Sequence, residues 1–371
     1  MLIGIDASRA VKDQKTGTEH YSEKIIYHIS KIDTKNDYIL YAPNMPTSGL
    51  LLDLPKNFTW KIMPFPRLWS QIRLSWEIIL GKPKPDVVFE PAHTIPIFHH
   101  KNTIVTLHDL GFKYYPELYT RFERFYHNWC MDFSAKRAKR IITPSEATKK
   151  DIIKFYHTNP EKISVIYHGY NKNLYNQKTT NHKPKNINQN SPYIFFVGRL
   201  EEKKNLENLV EAYSILRQNE SIKHKLILAG KPGYHYEEIK AKIQSFKPEI
   251  KNDIIETGYV SEKDLAEYMR NASVLFFPSC FEGFGLPVLE AFASGVPVVA
   301  SNTTSIPEIA KNAAILVDPR KPIRLAEELS RIIKNPDIKD KLIAQGLKRA
   351  QEFSWEKSAQ QHLDAIIKTA K

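Results

Sequence analysis

The chain alternates between short apolar runs and longer stretches in which apolar residues recur every three or four positions. The short runs predict buried β-strands, and the recurring positions predict amphipathic helices. In the first half, the predicted strands read LIGID, DYILY, DVVFE, TIVTL and RIITP. The predicted helices of that half cover about 18–31, 67–80, 118–136 and 145–156. In the second half, the predicted strands read YIFFV, KLILA, DIIET, VLFFP, VPVVA and AILV, with helices between them, for example at 206–216.

This alternation predicts parallel sheets with helices on both faces. We therefore expect an α/β protein with two doubly wound, Rossmann-like domains. A polar, Asn-rich stretch at 171–192 is predicted to link a domain at 1–170 to a second domain at 193–371, whose last helix can pack back on the first. Because ligands of such sheets bind at the carboxyl ends of strands, the expected site is a central cleft that both domains face.

Composition narrows the choice of partners. The chain has 371 residues and a net charge of +13, which favours nucleotide phosphates, an anionic membrane surface or nucleic acid. Nucleic acid is not expected, because no zinc finger, RNA-binding signature or basic-region heptad occurs. The two cysteines imply no disulfide framework, and neither a secretion signal nor an apolar run of ~18 residues occurs. We expect a cytoplasmic protein that can contact the inner face of the plasma membrane.

The stretch FEGFGLPVLEAFASGVPVVAS at 281–301 carries the first candidate site. Its glycines permit a turn and Pro287 suits a helix start, so a strand, a glycine turn, a helix and a strand are predicted. The N–H groups of such a turn attract anions. Glu282 and Glu290 can accept hydrogen bonds from sugar hydroxyls. The turn suits a ligand with both phosphate and hydroxyl groups, and an ordinary helix start with two acids is the alternative.

A second candidate phosphate site follows strand YIFFV, in GRLEEKKN at 198–205. Gly198 frees the backbone, and Asn205 is placed to cap the next helix. Arg199 and Lys204 can bracket a diphosphate, the first with a planar fork and the second with a compact charge. A solvated turn is the alternative interpretation.

Two further candidates lie in the first half. The segment QKTGT at 14–18, which contains Gly17, is predicted to be a flap over phosphates or a plain loop. His108 follows strand TIVTL, where it can bind a substrate hydroxyl or serve only the fold. Other chemistry is not indicated, because the sequence has no D-x-D, P-loop, G-x-S-x-G or H-E-x-x-H motif.

These motifs resemble one family over nearly the whole chain. PSCFEGFGLPVLEAFASGVPVVAS, preceded by VGRLEEKKNLENLVEAY, is similar to the donor-binding half of family-4 retaining glycosyltransferases of the GT-B fold. Glu282 and Glu290 match the E-x7-E pair of that family. Arg199 and Lys204 match its G-R-x4-K pair.

The first half resembles the same family at Gly17, at TLHDLGFKYYPELY and at ITPSEATKKDI. HDLGF together with the C-terminal pattern is most similar to bacterial mannosyltransferases that build O-antigen-like polysaccharide. The sequence departs from the family at Asn171, where Asp is frequent, and at Phe292, where Met is usual. Both departures leave the sub-family open.

The resemblance implies roles for the matched residues. Glu290 would hold the ribose hydroxyls of the nucleotide, and Glu282 would hold hydroxyls of the donor sugar. The implied catalytic residues are His108, Arg199, Lys204 and Glu282. The implied nucleotide-sugar contacts are Gly17, Gly198, Arg199, Lys204, Tyr259, Val260, Glu282, Gly283, Phe284, Gly285, Leu286 and Glu290.

The implied function is transfer of a hexose, with mannose from GDP-mannose as the first choice, to a glycan or lipid-linked glycan in cell-surface polysaccharide synthesis. The nucleotide-sugar is a co-substrate, and neither a cofactor nor a metal is expected. The alternatives are an epimerase-like enzyme, a UDP-glucose or UDP-N-acetylglucosamine transferase, and a non-catalytic nucleotide-sugar binding protein.

A membrane contact is predicted for the segment PRLWSQIRLSWEIILGKPK at 66–84, which is basic and carries tryptophan. On a helix, Trp69, Ile72, Trp76 and Ile79 would form one apolar stripe. The basic segment 136–140 would add further cations. The alternative is that the stripe packs on its own sheet.

Overall fold

The computed structural model describes residues 1–13, 15, 17–177, 191–219 and 222–371. These residues form two compact units, one made of Met1–Gly169 with Phe353–Lys371 and the other made of Tyr170–Glu352. Most of the predicted linker, 178–190, lies outside the described residues. Its first residues belong to the second unit, and the last helix of the chain belongs to the first.

The strands of the described residues form two sheets. In chain order, β1 to β13 are Leu2–Asp6, Asp37–Ala42, Phe58–Ile62, Val87–Glu90, Thr103–Thr106, Arg140–Thr143, Ile163–Val165, Tyr193–Val197, Lys225–Ala229, Ile254–Gly258, Val274–Phe277, Val298–Ser301 and Ile315–Val317.

The α-helices, α1 to α14 in chain order, are Gly17–Ile32, Ser75–Leu80, Gly111–Tyr114, Arg121–Arg137, Glu146–Tyr156, Leu206–Asn219, Tyr236–Ser245, Pro248–Lys251, Glu262–Arg270, Leu286–Ala293, Ile306–Ala310, Pro322–Lys334, Pro336–Ala350 and Trp355–Ala370. Short turns of other helix types occur at Ser70–Leu74, which is a π-helix, and at Pro116–Leu118, Pro160–Lys162 and Glu202–Lys204, which are 3₁₀-helices.

The first unit is built on a parallel sheet in the order β3-β2-β1-β4-β5-β6-β7. Side chains of a strand alternate between the two faces. Phe89 of β4 and its neighbour Ile104 of β5 pack in one core cluster with residues of α1 and α14. The opposite face carries Val88, which packs with residues of α2, and Val105, which packs with residues of α4 and α5. Thus α2, α4 and α5 share one layer, and α1 and α14 share the other.

Two helices of this layer begin where short polar side chains cap them. Thr120 Oγ1 accepts a hydrogen bond from Glu123 N at 3.2 Å, and Glu123 Oε2 accepts one from Thr120 N at 2.8 Å, which is a capping box. Ser145 Oγ accepts a hydrogen bond from Thr148 N at 3.1 Å. These caps set the first residues of α4 and α5, slightly after the predicted starts.

The second unit has a parallel sheet in the order β10-β9-β8-β11-β12-β13. Its central strands are apolar and buried throughout, as in VLFF of β11, which is expected for a sheet with helices on both faces. Two strands of the first unit, β3 and β7, were not predicted. β3 is an edge strand in which only Phe58 is fully buried, and β7 has three residues, so neither has a clear apolar pattern.

The predicted helix at 67–80 differs most from the structure. Leu74 N donates a hydrogen bond to Trp69 O at 3.0 Å, five positions back, which defines the π-helix at Ser70–Leu74. Because this turn holds an additional residue, Leu74 and Ile78 continue the buried side that begins at Trp69. Ile72, Trp76 and Ile79 are exposed. The alternative that the whole stripe packs on its own sheet is therefore wrong for these three residues.

Candidate functional site

The sheet of the second unit reverses its strand order between β8 and β11. β8 also pairs with β9, and β11 also pairs with β12, so the chain continues from these two strands in opposite directions. In doubly wound sheets a ligand crevice opens at such a point. The loops at 198–205 and 278–285 leave the carboxyl ends of β8 and β11. They carry most candidate residues of both predicted motifs, and Leu286 and Glu290 follow on α10.

The loop after β8 lies against the loop after β9. Leu200 N donates a hydrogen bond to Lys231 O at 2.9 Å. Gly230 has a φ of +154°, and a Cβ at this position would lie 1.8 Å from the carbonyl oxygen of Gly198. Any side chain at Gly230 would therefore displace the loop after β8. Gly198 itself has a φ of +153°, a conformation that favours glycine.

Asn205 fixes the other end of this loop. It precedes α6, and its main-chain oxygen accepts a hydrogen bond from Leu209 N at 3.0 Å. Its side chain does not cap the helix backbone, however. The side-chain amide donates to Pro278 O at 3.0 Å and to Pro319 O at 2.6 Å. Asn205 thus connects the loop after β8 to the loop after β11.

Lys204 and Glu282 meet between these two loops. Lys204 Nζ lies 2.5 Å from Glu282 Oε1, and the two side chains are only 16% and 12% exposed. Arg199 is more open to solvent, with Nε at 3.5 Å from Glu201 Oε2 and its guanidinium 5.5 Å from the ring centre of Tyr234. Lys204 is therefore held in a largely buried ion pair, whereas Arg199 is an exposed cation.

Thr304 and Ser305 hold the turn after β11 through side-chain contacts with its backbone. Glu282 N donates to Thr304 Oγ1 at 3.1 Å, and Ser305 Oγ lies 2.9 Å from the carbonyl oxygens of both Glu282 and Phe284. Gly285 has a φ of +100°, and a Cβ there would lie 2.5 Å from Ile306 Cδ1, so the turn requires glycine at this position. α10 then begins at Leu286.

Glu290 lies on α10 beside a tyrosine that sequence reasoning missed. Tyr175 is 1% exposed, and its hydroxyl lies beside the Glu290 side chain without a well-formed hydrogen bond. Burial, and then the charges of Glu290 and Glu262, raise the pKa of the Tyr175 hydroxyl well above its ordinary value. The hydroxyl is therefore a neutral donor next to the carboxylate predicted to hold ribose.

The segment around Tyr175 is part of the second unit. Tyr175 N donates to Asn171 O at 2.9 Å, Asn171 Nδ2 donates to Glu262 Oε1 at 3.4 Å, and the Arg270 guanidinium donates to Leu174 O. In the sequence this segment is polar and has no periodicity, so no signal distinguished Tyr175 from a linker residue.

The remaining contacts predicted for the second unit follow β10. Tyr259 is exposed, and Lys231 Nζ lies 4.9 Å from its ring centre. Val260 comes directly after it. Both residues lie at the carboxyl edge of the sheet, two strands away from β8.

In the first unit, His108 follows β5 and is buried. Its Nε2 donates to Pro91 O at 2.8 Å, and its ring meets that of Tyr21 edge-on at 4.5 Å. Burial lowers the pKa of His108, so the imidazole is neutral near pH 7 and Nδ1 is its acceptor. A hydroxyl ligand would have to approach Nδ1, because Nε2 is already used by the protein.

A buried hydrogen-bonded chain lies next to His108. His362 Nδ1 donates to Ser358 O at 2.7 Å, so its Nε2 accepts from the Tyr21 hydroxyl at 2.7 Å, and the Tyr21 oxygen accepts from Thr106 Oγ1 at 2.8 Å. Burial lowers the pKa of His362 to about 4 and that of His93 to about 3. These residues are too far apart in sequence to form a motif, and only the fold reveals them.

The predicted flap is only partly described, because residues 14 and 16 lie outside the described set. Lys15 Nζ lies 2.5 Å from Glu23 Oε1 and is thus held by α1. Gly17 begins α1, and a Cβ there would meet no atom within 4 Å. The fold alone therefore does not require glycine at position 17.

Two kinds of feature are absent from the part of the chain that the structure describes. No group of three or more His, Cys, Asp or Glu side chains is arranged to hold a metal ion. No described helix has the length and apolar character needed to cross a bilayer.

Comparison with known proteins gives matches along both units. Residues 36–174 match Glycosyltransferase Family 4, and residues 177–349 match Glycosyl transferases group 1. O-antigen chain mannosyltransferase B of Escherichia coli is 28% identical over 270 residues, which cover 71% of this chain and 70% of that protein. O-antigen chain mannosyltransferase RfbU of Salmonella typhimurium is 26% identical over 299 residues, which cover 81% of this chain and 77% of that protein.

Solved structures of other proteins have the same fold as this chain. Sucrose-phosphate synthase from Thermosynechococcus elongatus has a TM-score of 0.77 at 18% identity, with 98% of this chain and 97% of that chain covered. WaaG, a glycosyltransferase involved in lipopolysaccharide biosynthesis, has a TM-score of 0.75 at 15% identity, with 99% of both chains covered.

Two parallel-sheet, Rossmann-like domains with these structural neighbours define a protein of the GT-B fold, as predicted. Within that class, the chain belongs to the glycosyltransferases whose first domain is of family 4 and whose second domain is of group 1. The resemblance inferred from the sequence motifs is thereby confirmed.

Proposed function

We propose that this glycosyltransferase transfers mannose from GDP-mannose to a glycan or a lipid-linked glycan acceptor in cell-surface polysaccharide synthesis. The observation that carries the donor site is the Lys204–Glu282 pair at the point where β8 and β11 diverge. A cation for phosphate and an acceptor for sugar hydroxyls stand side by side there. Mannose is supported by the two curated relatives described above, which are both O-antigen chain mannosyltransferases.

The proposed reaction breaks the bond between the anomeric carbon and the diphosphate oxygen. Positive charge develops on the sugar and negative charge on the diphosphate, which leaves with the bonding electron pair. Lys204 and Arg199 would stabilise that negative charge, and each well-placed donor of this kind contributes about 3 kcal/mol. Glu290 would hold the ribose and so fix the nucleotide on α10.

The acceptor hydroxyl would attack from the side of the leaving group, which retains the anomeric configuration. Its oxygen bonds to the anomeric carbon, and its proton passes to the departing phosphate oxygen. No protein nucleophile is needed in this scheme, so Glu282 would bind sugar hydroxyls. His108 would help to position the sugar through Nδ1.

Catalysis without a divalent metal is part of the proposal, because Arg199 and Lys204 lie on the loop proposed to bind the diphosphate and the sequence has no D-x-D motif. Dialysis against EDTA should leave turnover unchanged. Loss of activity that Mn²⁺ or Mg²⁺ restores would contradict metal independence while leaving the donor site intact.

A donor screen tests the assignment. A saturating donor at ~100 Kd adds about 2.7 kcal/mol of stability, so GDP-mannose should raise the melting temperature more than UDP-glucose or UDP-N-acetylglucosamine. Mass spectrometry should then show a mannosylated acceptor. A larger shift with a UDP-sugar would replace the proposed donor. Conversion of a donor without an acceptor would favour an epimerase-like enzyme, and binding without any product would favour a binding protein.

A further inference from the structure

The helix layer of α2 and α4 exposes an unusual number of large apolar side chains. On α4, Phe122 is 73% exposed and Phe125 is 70% exposed. On α2, Trp76 is 60% exposed and Leu80 is 76% exposed. Ile79, Ile97 and Phe98 are also exposed. We call the whole set the aromatic surface: Trp76, Ile79, Leu80, Ile97, Phe98, Phe122 and Phe125.

These side chains belong to one continuous side of the first unit. α2 and α4 cover the same face of the sheet, because Val88 and Val105 point to the same side. The loop that carries Ile97 and Phe98 lies between them. Ile97 N donates to the Gln71 side chain at 3.1 Å, and Phe98 N donates to Ser75 Oγ at 3.3 Å.

The same loop is attached to α4 as well. Ile95 N donates to Ser134 Oγ at 3.2 Å, and the rings of His99 and Phe133 meet edge-on at 5.7 Å. Phe133 in turn stacks on Trp129 at 5.5 Å. The exposed residues therefore lie on a fixed layer. A surface of this kind on a monomer usually marks an interaction site.

The charge around the aromatic surface is positive. α4 contains four basic and two acidic residues, and the segment 66–84 contains four basic and one acidic residue. The acid of that segment, Glu77, is buried and pairs with Arg73 at 3.2 Å, so it offers little negative charge to a partner. Arg67, Arg121 and Arg137 are exposed.

We infer that the aromatic surface binds an anionic lipid bilayer, with the exposed rings in the interface and the basic residues at the headgroups. Aromatic and aliphatic side chains flanked by lysine and arginine are typical of protein surfaces that lie on a membrane. The positive charge favours an anionic partner over a neutral or basic one, and the exposed rings and aliphatic side chains favour a bilayer interface over a purely polar surface. The surface deepens the proposed function, because it would bring a lipid-linked acceptor to the enzyme.

Flotation with vesicles made of equal parts of phosphatidylglycerol and phosphatidylcholine tests the inference. We expect binding at low salt that weakens at high salt, because headgroup attraction is screened. Phe122→Ser with Phe125→Ser should lower the partition coefficient at least tenfold at either salt concentration. Arg121→Gln with Arg137→Gln should lower it only at low salt.

The matched control removes two exposed isoleucines elsewhere, Ile32→Ser on α1 with Ile323→Ser on α12, and should leave partitioning unchanged. The thermal shift produced by the donor should be the same in all variants, because the donor loops lie in the other unit. The donor shift thus distinguishes failure of the donor site from failure of the membrane surface.

Three results of the flotation experiment would overturn the inference. They are absence of flotation at low salt, equal binding to pure phosphatidylcholine, and equal loss in the control variant. An oligomer that forms without vesicles and dissociates on Phe122→Ser with Phe125→Ser would also overturn it, because the surface would then bind a second copy of the chain.

Discussion

Lys204 Nζ and Glu282 Oε1 lie 2.5 Å apart, although 78 positions separate the two residues in sequence. Both side chains are largely buried, and their loops leave neighbouring strands of one sheet. A lysine ammonium has three donors, so Lys204 can bind a phosphate oxygen while it still donates to Glu282. The pair therefore couples the residue proposed for diphosphate to the residue proposed for sugar.

Removal of either proposed phosphate-binding cation should slow chemistry. Lys204→Ala and Arg199→Ala should each lower kcat about 100-fold, because each removes one group proposed to stabilise the leaving diphosphate. Lys240→Ala, which removes an exposed lysine of α7, is the control and should have normal kinetics. Near-normal kcat in both test variants would contradict the proposal that Lys204 and Arg199 bind the diphosphate.

A titration with free GDP should distinguish the proposed roles of Glu290 and Glu282. Glu290→Ala should weaken GDP binding about tenfold or more, because ribose hydroxyls lose a charged acceptor. Glu282→Ala should leave GDP affinity nearly unchanged and weaken discrimination between GDP-mannose and GDP-glucose. Isothermal titration calorimetry measures both effects. The opposite pattern would reverse the two roles.

Tyr175→Phe should affect nucleotide binding without loss of stability. Its buried hydroxyl lies beside Glu290 without a well-formed hydrogen bond, so removal should change the free energy of unfolding little. If the hydroxyl holds Glu290 when nucleotide is bound, the Kd for GDP should rise about tenfold while kcat stays unchanged.

Tyr213→Phe provides the contrast for Tyr175. The Tyr213 hydroxyl donates to His224 O at 2.9 Å, so this variant should lose about 1 kcal/mol of stability and bind GDP normally. Unchanged GDP affinity in Tyr175→Phe would mean that the hydroxyl plays no part in positioning Glu290.

Stability should fall in mild acid because of the buried histidines. The folded-state pKa of His362, about 4, lies below its usual value of 6.5, so the unfolded state takes up the proton first as pH falls. The free energy of unfolding should decrease between about pH 6.5 and pH 4, by about 3 kcal/mol for this residue alone. His362→Gln should flatten the slope, and His235→Asn, at an exposed histidine, should not. Equal slopes in all three proteins would contradict this account.

Sequence patterns predicted the sheets well where apolar runs are dense. YIFFV and KLILA match β8 and β9 residue for residue, because central strands of a parallel sheet are apolar on both faces. Spacing and resemblance also single out Lys204 and Glu282 as candidate site residues. Their contact depends on the pairing of β8 with β11, and this strand order could not be read directly from the sequence.

Other features could not be predicted, for identifiable reasons. The π-helix at Ser70–Leu74 changes which residues face the sheet, and the regular α-helical spacing of apolar residues does not predict it. Tyr175 lies in a polar segment whose order depends on contacts with α9 and α10. The bonds that join Tyr21, Thr106 and His362 bring together three distant parts of the chain.

A crystal structure with GDP-mannose would test the central claim most directly. The account predicts the diphosphate within hydrogen-bond distance of Lys204 Nζ, with ribose hydroxyls on Glu290 and sugar hydroxyls on Glu282. Nucleotide bound away from the loops after β8 and β11, with neither Lys204 nor Glu290 in contact, would contradict it.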